Sequence, residues 1–146
     1  MTWDGAFPFV TLSCVSPSGE TILFEVRVEG APDPEGDVWF YHAKPLPREH
    51  LRDEEYFASL KRVGADLLQL EGMKNGLPAR YRRCGITRAL LPHIATQHSV
   101  RIRSSRHRPS EGETHTKAAR RVWQRMVDEG SARYDATEDR FYYPRT

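Results

Sequence analysis

The sequence predicts one mixed α/β domain, built on a central, mixed and mostly antiparallel sheet with helices on both faces. Three observations predict it. A chain of 146 residues with 38% apolar side chains suits a single core. The N-terminal part alternates apolar and polar residues at the period of a half-wet sheet. The second half alternates strand-like and helix-like segments.

The elements follow in order. PFVTLSCV (8–15) and ETILFEVRVEG (20–30) are rich in Val, Ile, Phe and Thr, and PSG (17–19) separates them as a turn. A β-hairpin follows, with Ile22, Phe24, Val26 and Val28 inward and Glu25, Arg27 and Glu29 outward. APDPEGD (31–37) is a polar loop, and DVWFYHA (37–43) a short third strand. A helix is predicted over 51–63: Tyr56, Leu60 and Val63 recur at helical spacing, and Asp53, Glu54 and Glu55 suit its first turn. Residues 66–71 either continue that helix or form a fourth strand after Gly64, and the strand fits better. A loop through Gly76 and Pro78 leads to a helix over 85–99, which Pro92 should kink or shorten. VRIRSS (100–105) is a strand. THTKAARRVWQRMVDEG (114–130) is a helix with Ala119, Val122, Trp123, Met126 and Val127 as its apolar stripe and Gly130 as its stop. SARYD and DRFYY (131–135, 139–143) close the chain as two strands.

Bulk properties exclude some classes. No run of eighteen apolar residues exists, so a membrane partner is not expected. The N-terminus MTWDGAFPFV carries acid and no basic region, unlike a secretory signal. Cys14 and Cys84 form neither a metal spacing nor a disulfide framework. A cytoplasmic protein without a metal is the expectation. The net charge of +2 hides an uneven distribution. Residues 1–76 carry 7 basic and 13 acidic side chains, residues 77–125 carry 12 and 2, and residues 126–146 carry 3 and 5. The middle segment therefore faces either an anionic partner or the chain's own acidic part.

YRRCGITRALL (81–91) is the most informative stretch. A helix begins near Gly85, and its first turn offers unpaired N–H groups at the positive end of the dipole. Phosphates bind such places. Gly85 lets a pyrophosphate approach the backbone, and Arg82 and Arg83 add forked donors. The same residues also suit a plain basic helix start.

YRRCGITRALL resembles the acetyl-CoA-binding motif of the GNAT superfamily of N-acetyltransferases, which runs Arg/Gln-x-x-Gly-x-Gly/Ala into an apolar helix. Arg82 stands in the Arg/Gln place, Gly85 in the central Gly place, and Thr87 where Gly or Ala is usual. Ile86, Ala89, Leu90 and Leu91 resemble the helix positions. The resemblance covers about residues 65–143 and implies a GNAT-like fold; the first 60 residues are less typical of the family. It implies that acetyl-CoA, or another acyl-CoA, is the co-substrate of acyl transfer to a small-molecule or protein amine. Cofactor contacts would come from Leu68 and Leu70 on a splayed strand, and from Arg80, Arg82, Arg83, Cys84, Gly85, Ile86 and Thr87. The base would be Glu71, with Asp66 as the other carboxylate. The acid would be Tyr134, with Tyr142 as an alternative, because the last helix carries Trp123 where a tyrosine is usual. Ser104 and Ser105 would bind the substrate or cofactor amides.

Two other functions remain open in the sequence. A GNAT-type protein without catalysis would serve as an accessory subunit. Alternatively, the arginines of residues 80–125 would contact nucleic acid. Lys117, Arg121 and Arg125 share one helix face there, and Trp and Tyr side chains could stack on bases.

Overall fold

Ile22, Phe24, Val26 and Val28 are all buried, while Thr21 and Leu23 on either side of Ile22 are exposed, so the second strand has one dry face. The computed structural model describes residues 10–16, 18–31, 37–46, 55–77, 81, 85–106 and 117–146. The strands are β1 (Val10–Val15), β2 (Thr21–Ala31), β3 (Val38–Pro45), β4 (Tyr56–Gly64), β5 (Leu67–Asn75), β6 (Arg101–Ser104), β7 (Arg133–Asp135) and β8 (Arg140–Tyr143). Two helices, α1 (Ile86–His98) and α2 (Lys117–Asp128), complete the described elements. All eight strands form one sheet in the order β1-β2-β3-β4-β5-β6-β8-β7. Each β-ladder is antiparallel except β5–β6, which is parallel.

Two expectations are corrected. The helix over 51–63 is strand β4 in its described part, with residues 51–54 outside the described residues. Tyr56 and Leu60 are four apart, a spacing that belongs to both the helical and the strand period. Ala58 settles it: Tyr56, Ala58 and Leu60 are buried in alternation. Glu55, read as a helix-dipole acid, instead accepts from Nδ1 of His42 at 2.9 Å.

The second correction concerns the layers and overturns the GNAT-like fold with helices on both faces. The chain is mostly sheet, and both described helices lie on the same face. Strand register carries that face from Val28 through Tyr41, Ala58, Leu60, Leu70, Leu68 and Ile102 to Tyr143 and Phe141. α1 rests on it through Tyr41, whose hydroxyl donates to Gln97 Oε1 at 2.6 Å, and through Tyr56, 2.8 Å from the Thr87 hydroxyl. α1 also touches β1, β6 and α2, so the sheet curls around it. α2 rests on the same face through Trp123, stacked on Phe141 at 5.9 Å. Side-chain burial on this face drives assembly, at about 1.5–3 kcal/mol for each large apolar group. Among the described residues no helix or strand covers the other face.

The helix ends follow their local chemistry. α1 runs through Pro92 to His98 rather than stopping there. Ser99 takes the left-handed conformation after it, and Val100 N–H donates to Ala95 at 3.0 Å. α2 stops at Gly130 (φ 84°), where Ser131 N–H donates to Met126 at 2.9 Å. No described helix is long and apolar enough to cross a membrane.

Candidate functional site at the parallel seam

The seam between β5 and β6 is short. Leu67 to Leu70 pair with Arg101 to Ser104, and β5 then continues to Asn75 without a partner strand on that side among the described residues. A bulge sits where they part. The β4–β5 register jumps from Ser59↔Gly72 to Leu60↔Leu70, leaving Glu71 as the extra residue. A bulge bends its strand and increases the twist, which turns β5 away from β6. Among the described residues, backbone groups of the β5 edge beyond Leu70 therefore have no strand partner on the β6 side.

The start of α1 lies at the same end. Gly85 opens the helix with φ 75° and ψ 24°, and no side chain caps it. That conformation disfavours any residue with a Cβ, although a Cβ there would meet nothing within 4 Å. The first turn itself holds no acid to meet its N–H groups and dipole. Thr87 joins the two parts: its hydroxyl lies 3.2 Å from Met73 Sδ on β5 as well as on Tyr56. Burial raises the Tyr56 phenol well above its usual range, and the Thr87 hydrogen bond partly offsets this. A groove of about 830 Å³ borders the helix start, lined by Ser13, Gly85, Arg88, Arg125 and Glu129 among others. Within it Arg88 Nη2 lies 2.8 Å from Glu129 Oε1.

The two faces divide the work. Gln69, Arg103 and Tyr142 are in register on the face away from the helices. Arg103 Nε donates to Gln69 Oε1 at 2.7 Å, and buried Arg140 Nη1 donates to the same oxygen at 2.9 Å and to the Ser104 carbonyl at 2.9 Å. Gln69 Nε2 in turn donates to Glu71 Oε2 at 3.1 Å. Exposed Glu71 thus stands on the polar face, while the start of α1 stands on the helix face.

The predicted residues divide accordingly. Gly85, Ile86 and Thr87 stand together at the start of α1 on the helix face, whereas Glu71 lies on the polar face. Ile86 is buried, and the Thr87 hydroxyl is turned inward, so only its backbone faces the helix mouth. Leu68 and Leu70 are core residues whose strand edge is already taken by β6, so the free edge begins at Glu71. The Ser104 hydroxyl accepts from Phe141 N–H at 2.9 Å and is committed to the sheet. Ser105 is buried just past β6. Asp66 lies at the opposite end of the seam, its carbonyl accepting from Arg101 N–H at 2.8 Å. Tyr134 is not brought to β5. It lies on β7, three strand spacings or about 14 Å from β5, with its hydroxyl on Asp139 Oδ1 at 2.6 Å. Tyr142 donates to Glu138 at 2.5 Å. Burial and that carboxylate raise its phenol, and Arg103 pulls it back. Arg80, Arg82, Arg83 and Cys84 lie outside the described residues.

Sequence reasoning missed Gln69 and Arg140. A lone polar residue between Leu68 and Leu70 was the available signal, since it had to face away from them. Among the described residues no group of His, Cys, Asp and Glu is arranged to hold a metal. No known protein family, no curated protein and no solved structure matches the chain.

Proposed function

We propose that the chain transfers an acyl group from a coenzyme A thioester to an amine, in the manner of the GNAT enzymes that residues 81–91 resemble. One observation supports the reading: among the described residues the parallel β5–β6 pairing ends at Leu70 and Ser104, at the same end of the sheet as the start of α1 on left-handed Gly85. A pyrophosphate would lie on the N–H groups of that helix start, and the pantetheine amides would pair with the free β5 edge after Leu70. The thioester carbon would reach the bulge. Glu71, through a water, accepts the proton of the attacking amine. The new C–N bond forms, the C–S bond breaks, and the thiolate takes up a proton.

A second reading, coenzyme A binding without turnover, draws on the distance of Tyr134 from β5. Two measurements separate the readings. Acetyl-CoA at about 100 times its dissociation constant should stabilise the fold by roughly 2.7 kcal/mol, raising the melting temperature by several degrees. Thiol release with a panel of amines then reports turnover. A shift with no thiol release leaves the binding protein, and no shift removes both readings. For an active enzyme, Glu71→Gln should lower kcat by about 10²-fold or more and leave the acetyl-CoA shift intact.

A further inference from the structure

The polar face of β6, β8 and β7 carries four arginines around one phenol ring. Arg103, Tyr142 and Arg133 stand in register across the three strands, and Arg101 lies two residues from Arg103 on the same side. The Arg133 guanidinium sits 4.4 Å from the Tyr142 ring centre, and that of Arg101 sits 5.7 Å from it. Arg103 is fixed by Gln69, and Arg140 lies buried beneath. Two carboxylates border the cluster, Glu138 on the Tyr142 hydroxyl and Glu71 on Gln69 Nε2. Among the described residues neither Arg101 nor Arg103 makes an ion pair, and Arg133 meets Asp135 only at 3.8 Å. Arg101 Nε is buried without a hydrogen-bond partner. Stacking holds Arg101 and Arg133, and the Gln69 bond holds Arg103, with no close carboxylate on any of the three among the described residues.

We infer that this face binds the phosphate backbone of a single-stranded nucleic acid. Geometry selects the occupant. Arg103 and Arg133 are separated by two strand spacings, about 10 Å, and Arg101 and Arg103 by about 7 Å along β6. One small anion cannot touch all three, whereas a chain of phosphates can. Guanidinium forks suit phosphate oxygens, and a flat row of them carries no base readout, so binding is independent of sequence. Tyr142 is covered by the arginines and offers no ring for base stacking. The face is separate from the helix start proposed for coenzyme A.

The test is fluorescence anisotropy of a labelled twelve-nucleotide single strand with the whole chain. Three variants are compared with wild type: Arg101→Gln/Arg103→Gln/Arg133→Gln, Arg133→Gln alone, and Lys117→Gln/Arg121→Gln/Arg125→Gln. The last removes exposed cations of α2 on the other side. Wild type should bind with a log–log salt slope near −2, the value for about three phosphate contacts on a single strand. The sheet-face triple variant should lose at least tenfold in affinity and most of that slope. The Arg133→Gln variant, at a half-exposed position, should lose severalfold and keeps the test open if the triple variant does not fold. The α2 variant should bind as wild type. Any of three results overturns the inference: no binding by wild type, loss in the α2 variant with the sheet-face variants unchanged, or displacement by millimolar inorganic phosphate. Excess coenzyme A should not displace the strand. If it does, the two sites are one and the inference fails, whereas failure of the acetyl-CoA shift alone leaves it standing.

Discussion

Thr87 stands where the phosphate-loop pattern calls for a small residue, and its hydroxyl is turned into the sheet. It is held by Tyr56 and Met73, so its work is to fasten α1 to β4 and β5. Replacing it with alanine leaves a fully buried phenol without its partner, which costs about 1–3 kcal/mol. Thr87→Ala should lower the unfolding free energy in a denaturant titration by that amount and keep the acetyl-CoA shift, because the backbone N–H groups of the helix start are unchanged. His93 on α1 gives a second prediction at this scale. Burial lowers its pKa below 6.5, so the folded state favours the neutral ring. Above pH 6.5 this costs nothing. As pH falls below 6.5 the unfolded chain takes up a proton first, and stability declines through the folded pKa. His93→Gln should flatten the dependence of melting temperature on pH in that acid window.

At the scale of elements, the sequence was legible wherever one period stood alone. β1, β2 and β3 alternate cleanly, and both helices stop where Ser99 and Gly130 end them. β4 was misread because Tyr56 and Leu60 satisfy both periods, and Ala58, the residue that decides, is too small to register as an apolar signal. The bulge at Glu71 is not legible at all, because a bulge is a property of a pair of strands. Gln69 ties the strands of the seam together: one amide oxygen serves Arg103 and Arg140, and its nitrogen serves Glu71. Gln69→Leu should cost about 1.5–3 kcal/mol, the range for a hydrogen bond to a charged group, measured by denaturant unfolding. Activity should fall with it, since Glu71 loses its positioning donor.

The whole molecule is a sheet with one dry and one polar face, and this asymmetry could not be read from the order of elements. Charge follows the strands as well. Glu25 and Glu29 lie on β2 with His42 and Glu55 beside them, while the arginines gather toward β7. The dry face also sets an alkaline limit. Burial pushes the Tyr41 and Tyr56 phenols well above their ordinary value of 10.0. Above pH 10 the unfolded chain sheds protons that the folded chain keeps, so stability should fall. Circular dichroism melts between pH 9 and 11 should show that fall, and it should be smaller for Tyr41→Phe.

From β1 to β5, neighbours in the sheet are neighbours in the chain. Each of these hairpins closes a short loop, so the meander can zip together step by step. The parallel seam is different: Gln69 and Arg103 are 34 residues apart, and α1 must be in place before they meet. Low local contact order on one side and a long closure on the other make the seam the last part to form. It should also be the first to open. In hydrogen exchange, amides of β6 should lose protection ahead of those of β2 and β3, so that a ligand entering there closes the loosest part of the fold.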